Sequence, residues 1–102
     1  MARARKKVKT YPYDSAAHLN SKQAAQAYLE EAVATRDPAF IAEALGTIAR
    51  ARGMSQVAKK TGMSRESLYK ALSTAGNPEF GTVIRVMHAL GLRFSIRNAD
   101  AI

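Results

Sequence analysis

Residues 54–73 constrain the fold more than any other stretch of this chain. They place a small residue, Ala58, four positions before Gly62, and they place Leu68 ten positions after Ala58. Two short helices that cross steeply over a tight turn need this pattern. The axes approach closest at a small side chain, the turn requires a residue that tolerates positive φ, and an apolar side chain on the second helix must face back to the core. Met63 supplies an apolar plug after the turn, and Val57 and Leu72 complete the packing. The spacing predicts a helix over 55–61, a turn at Gly62 and a second helix over 65–73 capped by Ser64. With Ser67 at its third position, this cap is an atypical capping box. The arrangement is that of a helix-turn-helix.

The rest of the chain reads as helical around that pair. Asn20 or Ser21 can cap a helix over 21–35, whose apolar face is Ala25, Tyr28, Leu29, Ala32 and Val33, with Glu30 and Glu31 outward. Asp37-Pro38 opens a second helix, because the Asp can cap and the Pro needs no N–H at that position. That helix buries Ile41, Ala44, Leu45 and Ile48 and stops at Gly53 as a left-handed residue. After a loop containing Gly76, Asn77 caps and Pro78 opens a last helix that ends at Gly91. Phe80, Val83, Ile84, Met87 and Leu90 form its predicted core face. Residues 92–97 alternate, with Leu92, Phe94 and Ile96 on one side and Arg93, Ser95 and Arg97 on the other, which predicts a single strand. The expected fold is all-α: five helices and one short C-terminal β-strand. The expected organisation is a basic, disordered tail over 1–10, an extended linker over 11–20, the folded domain over 21–97 and a short tail over 98–102.

Charge narrows the partners. Sixteen Lys and Arg against eight Asp and Glu give a formal net charge of +8, which suits a polyanion, although solubility and a solvated tail would use the same charge. Five of the cations, Arg3, Arg5, Lys6, Lys7 and Lys9, crowd the N-terminus, as a phosphate-binding arm or as a bystander. Hydrophobic residues form 47% of the sequence, enough for a core, yet no apolar run is long enough to cross a membrane. The polar stretch over 10–20 lacks the apolar segment of a secretory signal, and a cytoplasmic location is expected. Zero cysteines exclude a disulfide framework and a thiolate zinc site. His18 and His88 are far apart, and no nucleophile–base constellation, phosphate loop or metal-spaced cluster occurs. No cofactor, metal or catalytic activity is expected.

The outward face of the second helix of the pair is polar, and each residue on it has a chemical use against double-stranded DNA. Arg65 can pair bidentately with guanine O6 and N7. Ser64, Ser67 and Tyr69 can bond phosphates or bases, and Lys70 suits a phosphate. Glu66 can accept from cytosine N4, or repel phosphate and so enforce register. Gln56, at the start of the first helix of the pair, can hold a phosphate together with nearby backbone N–H groups. Lys59 and Lys60 can add phosphate contacts or simply be solvated.

The stretch over 48–73, with Gly76-Asn-Pro-Glu-Phe80 and Ala89-Leu-Gly-Leu92, resembles the addiction-module antidote family. Residues 14–29 and Asp37-Pro38-Ala-Phe40 carry the same resemblance. These are HigA-like antitoxins of type II toxin–antitoxin systems with Xre/Cro-type helix-turn-helix domains. The resemblance implies two linked activities: neutralising a cognate small toxin of the RelE/ParE kind, and repressing the antitoxin's own operon as a dimer. The basic N-terminal tail is not part of that pattern. A stand-alone Xre-type repressor without a toxin, and a helical interaction module that never touches DNA, are the alternatives.

One helix-turn-helix covers little DNA, and a two-fold dimer on a palindromic operator places two recognition helices about 34 Å apart. The strand over 92–97 is the expected seam: pairing with its symmetry mate would satisfy its backbone and bury Leu92, Phe94 and Ile96, although the segment can instead pack on its own core. Tyr11, Tyr13, Leu19 and Tyr28 are the candidate anchors for a toxin, with Glu30 and Glu31 facing a basic partner. Tyr28 and Leu29 serve equally well as core residues.

Overall fold

A computed structural model describes residues 21–99, and these form five helices with no strand among the described residues. They are α1 (Lys22–Ala34), α2 (Pro38–Arg52), α3 (Met54–Thr61), α4 (Arg65–Ala71) and α5 (Phe80–Ala89). The predicted tail and linker, including Tyr11, Tyr13 and Leu19, lie outside the described residues.

Local chemistry explains most of the boundaries. The Ser21 hydroxyl accepts the Ala24 N–H at 3.1 Å and starts α1. The Thr35 hydroxyl closes it by donating to the Ala32 carbonyl at 2.6 Å and accepting from the Asp37 N–H at 3.2 Å. Asp37 then caps α2 through the Ala39 N–H at 3.1 Å, with Pro38 in the first position as expected. Gly53 ends α2 at φ 116°, ψ 106°, a positive φ but not the left-handed helical well predicted for it. Gly53 is also the first flanking residue of α3, so α3 begins at Met54, one residue earlier than predicted. The start of α5 is a larger correction. Neither Asn77 nor Pro78 opens it; the helix begins at Phe80, and Glu79 at its N-cap makes no side-chain bond. The preceding loop is instead held against the end of α4, where a side chain at Gly76 would collide with the Ala71 carbonyl oxygen.

The core centres on Leu45, Ile48, Val57, Leu68, Leu72, Val86 and Leu90, all essentially solvent-free. α3 packs against α2, α4 and α5, whereas α1 packs on α2. Three predicted core residues are corrected: Val33 is 51% exposed, Phe80 71% and Ile84 38%. They continue the apolar stripes of their helices past the edge of the packed neighbour. The predicted strand over 92–97 is absent because a strand needs a ladder partner, and no second extended segment exists among the described residues. Nor does the segment sort cleanly by parity. Leu92 packs on the core, Phe94 is half-exposed with its ring 5.7 Å from that of Phe80, and Ile96 is 94% exposed.

Candidate nucleic-acid interface

α3 and α4 are joined by Gly62, Met63 and Ser64, and a single carbonyl organises the turn. The Ala58 oxygen accepts the N–H of Gly62 at 2.9 Å, the N–H of Met63 at 3.2 Å and the hydroxyl of Thr61 at 3.1 Å. The same Thr61 hydroxyl oxygen accepts from the Met63 N–H at 3.3 Å. Gly62 lies in the left-handed region, φ 74°, where a β-carbon would be strained. Thr61 is buried and fixes the turn, a role the spacing of apolar residues does not show.

The start of α4 is fixed next. The Ser64 hydroxyl oxygen accepts the Ser67 N–H at 3.0 Å, and the Ser64 hydroxyl donates to the Ser67 oxygen at 2.9 Å. The two serines predicted as DNA contacts are therefore tied to each other. The bond between the two oxygens keeps both hydroxyls together at the start of α4.

Beneath this face α4 is anchored by Leu68, which has no exposed surface, and by the C-terminal residue Leu72. Close approach to α2 is possible because position 46 is glycine: a β-carbon there would run into the Leu72 carbonyl oxygen. With Leu68 inward, Arg65, Glu66, Ser67, Tyr69 and Lys70 are all exposed, as are Ser64, Gln56, Lys59 and Lys60. The Arg65 guanidinium stands over the Tyr69 ring, 6.0 Å from its centroid, one helical turn away. That distance is at the outer edge of a cation–π contact and favours one direction of the arginine without immobilising it. No side chain caps the start of α3 at Gly53, which leaves the N-terminal amides near Gln56 for an outside acceptor. The pair thus carries Lys59, Lys60, Arg65 and Lys70 against the lone carboxylate of Glu66.

The remaining candidates fall elsewhere. Tyr28 is half-buried against the core beside the buried Leu29, so the core reading holds for both. Phe94 and Leu92 line a cavity of roughly 600 Å³ with Val33, Ile41, Val83 and Met87, between α1, α2, α5 and the C-terminal segment. Among the described residues no group of His, Asp and Glu is placed to hold a metal, and no helix is long and apolar enough to cross a membrane.

A small all-helical domain with an exposed basic helix pair is an architecture that serves many functions. Comparison with known proteins narrows this. A family model described as "Probable addiction module antidote protein" matches residues 9–98. An uncharacterised protein of Haemophilus influenzae is 51% identical over 87 residues, covering 85% of this chain and 90% of that protein. The chain belongs to the probable addiction module antidote family, which implies an antitoxin with a cognate toxin as its partner. No solved structure matches it.

Proposed function

We propose that this antitoxin is also a DNA-binding repressor, and that α3 and α4 form its helix-turn-helix. The observation that carries the reading is the two-sidedness of α4. Leu68 is sealed into the core while Arg65, Glu66, Ser67, Tyr69 and Lys70 around it are all exposed. A helix anchored by Leu68 and Leu72, with its first turn exposed, can enter a major groove N-terminus first. Arg65 reads a guanine; Ser67 and Tyr69 bond bases or phosphates; Lys59, Lys70 and the start of α3 at Gln56 hold the backbone. Glu66 reads cytosine or repels misplaced phosphate.

The protein acts by binding alone, without catalysis, in the cytoplasm, where it represses its own operon as a dimer on a palindromic operator. Its partner is a small toxin of the RelE/ParE kind, received on the outer face of α1, where Glu30 and Glu31 are exposed. The dimer forms by pairing of residues 92–97 across a two-fold axis, which supplies the ladder missing in the single chain and covers Phe94 and Ile96. This is supported by the exposure of those two side chains at 49% and 94%.

The deciding experiment is a gel shift of the full chain on DNA from upstream of its own gene, followed by co-expression with the product of the adjacent gene. A specific shift and a co-purifying small protein are the expected results. Failure of the shift removes the repressor role and leaves the antitoxin role standing.

A further inference from the structure

A second site lies where the C-terminal ends of α2, α3 and α5 meet the first residue of α1, and of the paired helices only α3 contributes to it, through Lys60. The cavity there has a volume of roughly 420 Å³ and is lined by Lys22, Arg52, Lys60, His88, Ala89 and Gly91. Among the described residues no carboxylate lines it. Arg52 is the last residue of α2, and its Nη1 donates to the Leu90 carbonyl at 3.2 Å. Its Nε and Nη2 are buried and have no hydrogen-bond partner among the described residues. Buried N–H groups of a permanent cation are costly to leave unpaired, because burial removes the water that would otherwise accept from them.

Basic residues at helix C-termini have an ordinary use, which is to offset the negative end of the helix dipole. That use does not account for the charge here. Three helix ends bring about half a negative charge each, roughly one and a half in total, against three basic side chains, Lys22, Arg52 and Lys60. Positive charge is left over, and Lys22 stands at the positive end of α1. Two fork nitrogens of a guanidinium side by side match the paired oxygens of a carboxylate or phosphate.

We infer that this cavity is an oxyanion-binding site, with Arg52 as the bidentate donor and Lys22 and Lys60 closing over the ligand. The Lys22 chain lies against Gly91, with Cε 3.0 Å from where a β-carbon would stand, and lines the same cavity as Arg52. Two sources share the required chemistry. One is free or nucleic-acid phosphate. The other is the carboxylate of Asp14 in the same chain, outside the described residues and eight positions before Lys22, a span that extended backbone bridges over up to about 28 Å.

The test is NMR of the arginine Nε–Hε resonances of the full chain, titrated with inorganic phosphate near neutral pH. A saturable shift of the Arg52 resonance, with affinity about tenfold weaker in Lys22→Ala or Lys60→Ala, identifies a phosphate site. Both lysines are exposed, so these variants keep the fold. If the natural chain shows no shift and Asp14→Asn does, the site holds the protein's own carboxylate, and the inference stands with that source. If Arg52 fails to respond in both proteins while their circular dichroism remains helical, the cavity binds no oxyanion and the inference is wrong.

Discussion

Ser64 and Arg65 are neighbours with opposite duties, and substitution separates them. The Ser64 hydroxyl is consumed by the α4 cap, through its bonds to the Ser67 amide and hydroxyl. Ser64→Ala should therefore lower stability by about 1 kcal/mol, the usual worth of an N-cap, read from the urea midpoint. Its effect on DNA affinity should be small and the same for every sequence, since the side chain carries no readout. Arg65 is free at its tip and steered only by the Tyr69 ring. Arg65→Ala should leave the urea midpoint unchanged and reduce discrimination at one operator base pair by about 1–3 kcal/mol, measured by competition between operator variants. An Arg65→Ala protein that ranks operator variants as the natural chain does would remove this residue from base reading.

At the scale of elements, position 46 decides how closely α4 can lie on α2. Gly46→Ala puts a β-carbon into the Leu72 carbonyl oxygen, a backbone atom that cannot swing away. The two helices must separate, at a cost of about 1–3 kcal/mol of overpacking, visible as a lower urea midpoint with helical circular dichroism retained. A variant as stable as the natural chain would mean that α4 has slack against α2. Sequence reasoning located neither this contact nor Thr61, because both depend on where two backbones meet and not on a period along one of them. It did place the caps at Asp37 and Ser64 and the turn at Gly62, and it offered Ser21 beside Asn20 for α1, since each of these is a local choice of residue with a local reward. Amphipathic periodicity overreached at Val33, Phe80 and Ile84: it gives the direction of an apolar stripe, not the extent of the neighbour that covers it. Asn77-Pro78 gave a valid start signal that the fold ignores, because the loop is held against α4 instead. Arg52 was unreadable for the same reason as Gly46. Residues 92–97 have a strand's alternation and no partner within the described chain. Phe94→Asp should therefore leave the helices intact and convert a dimer to a monomer by light scattering, and a persistent dimer would place the seam on another surface.

The charge of the whole molecule sets the last expectation. Of its sixteen cations, five stand over residues 1–9 and four on the helix pair, so the two groups can be separated by their salt dependence. Each phosphate neutralised contributes about 0.9 to the slope of log affinity against log salt, because a condensed counterion is released. Lys59→Ala removes one cation of the pair and should reduce the slope by about 1 while operator preference is unchanged, as measured by fluorescence anisotropy across a salt series. Deleting residues 2–9 is the stronger test. If all five tail cations lie on phosphate the slope falls by about 4 to 5, and if the tail is only solvated it does not move. The tail falls outside the family match except for its last residue, Lys9. A large drop in slope with unchanged ranking of operators would therefore mean that this chain has added affinity to the family's domain without adding specificity. An unchanged slope would leave the whole electrostatic footprint on the eleven cations beyond residue 9.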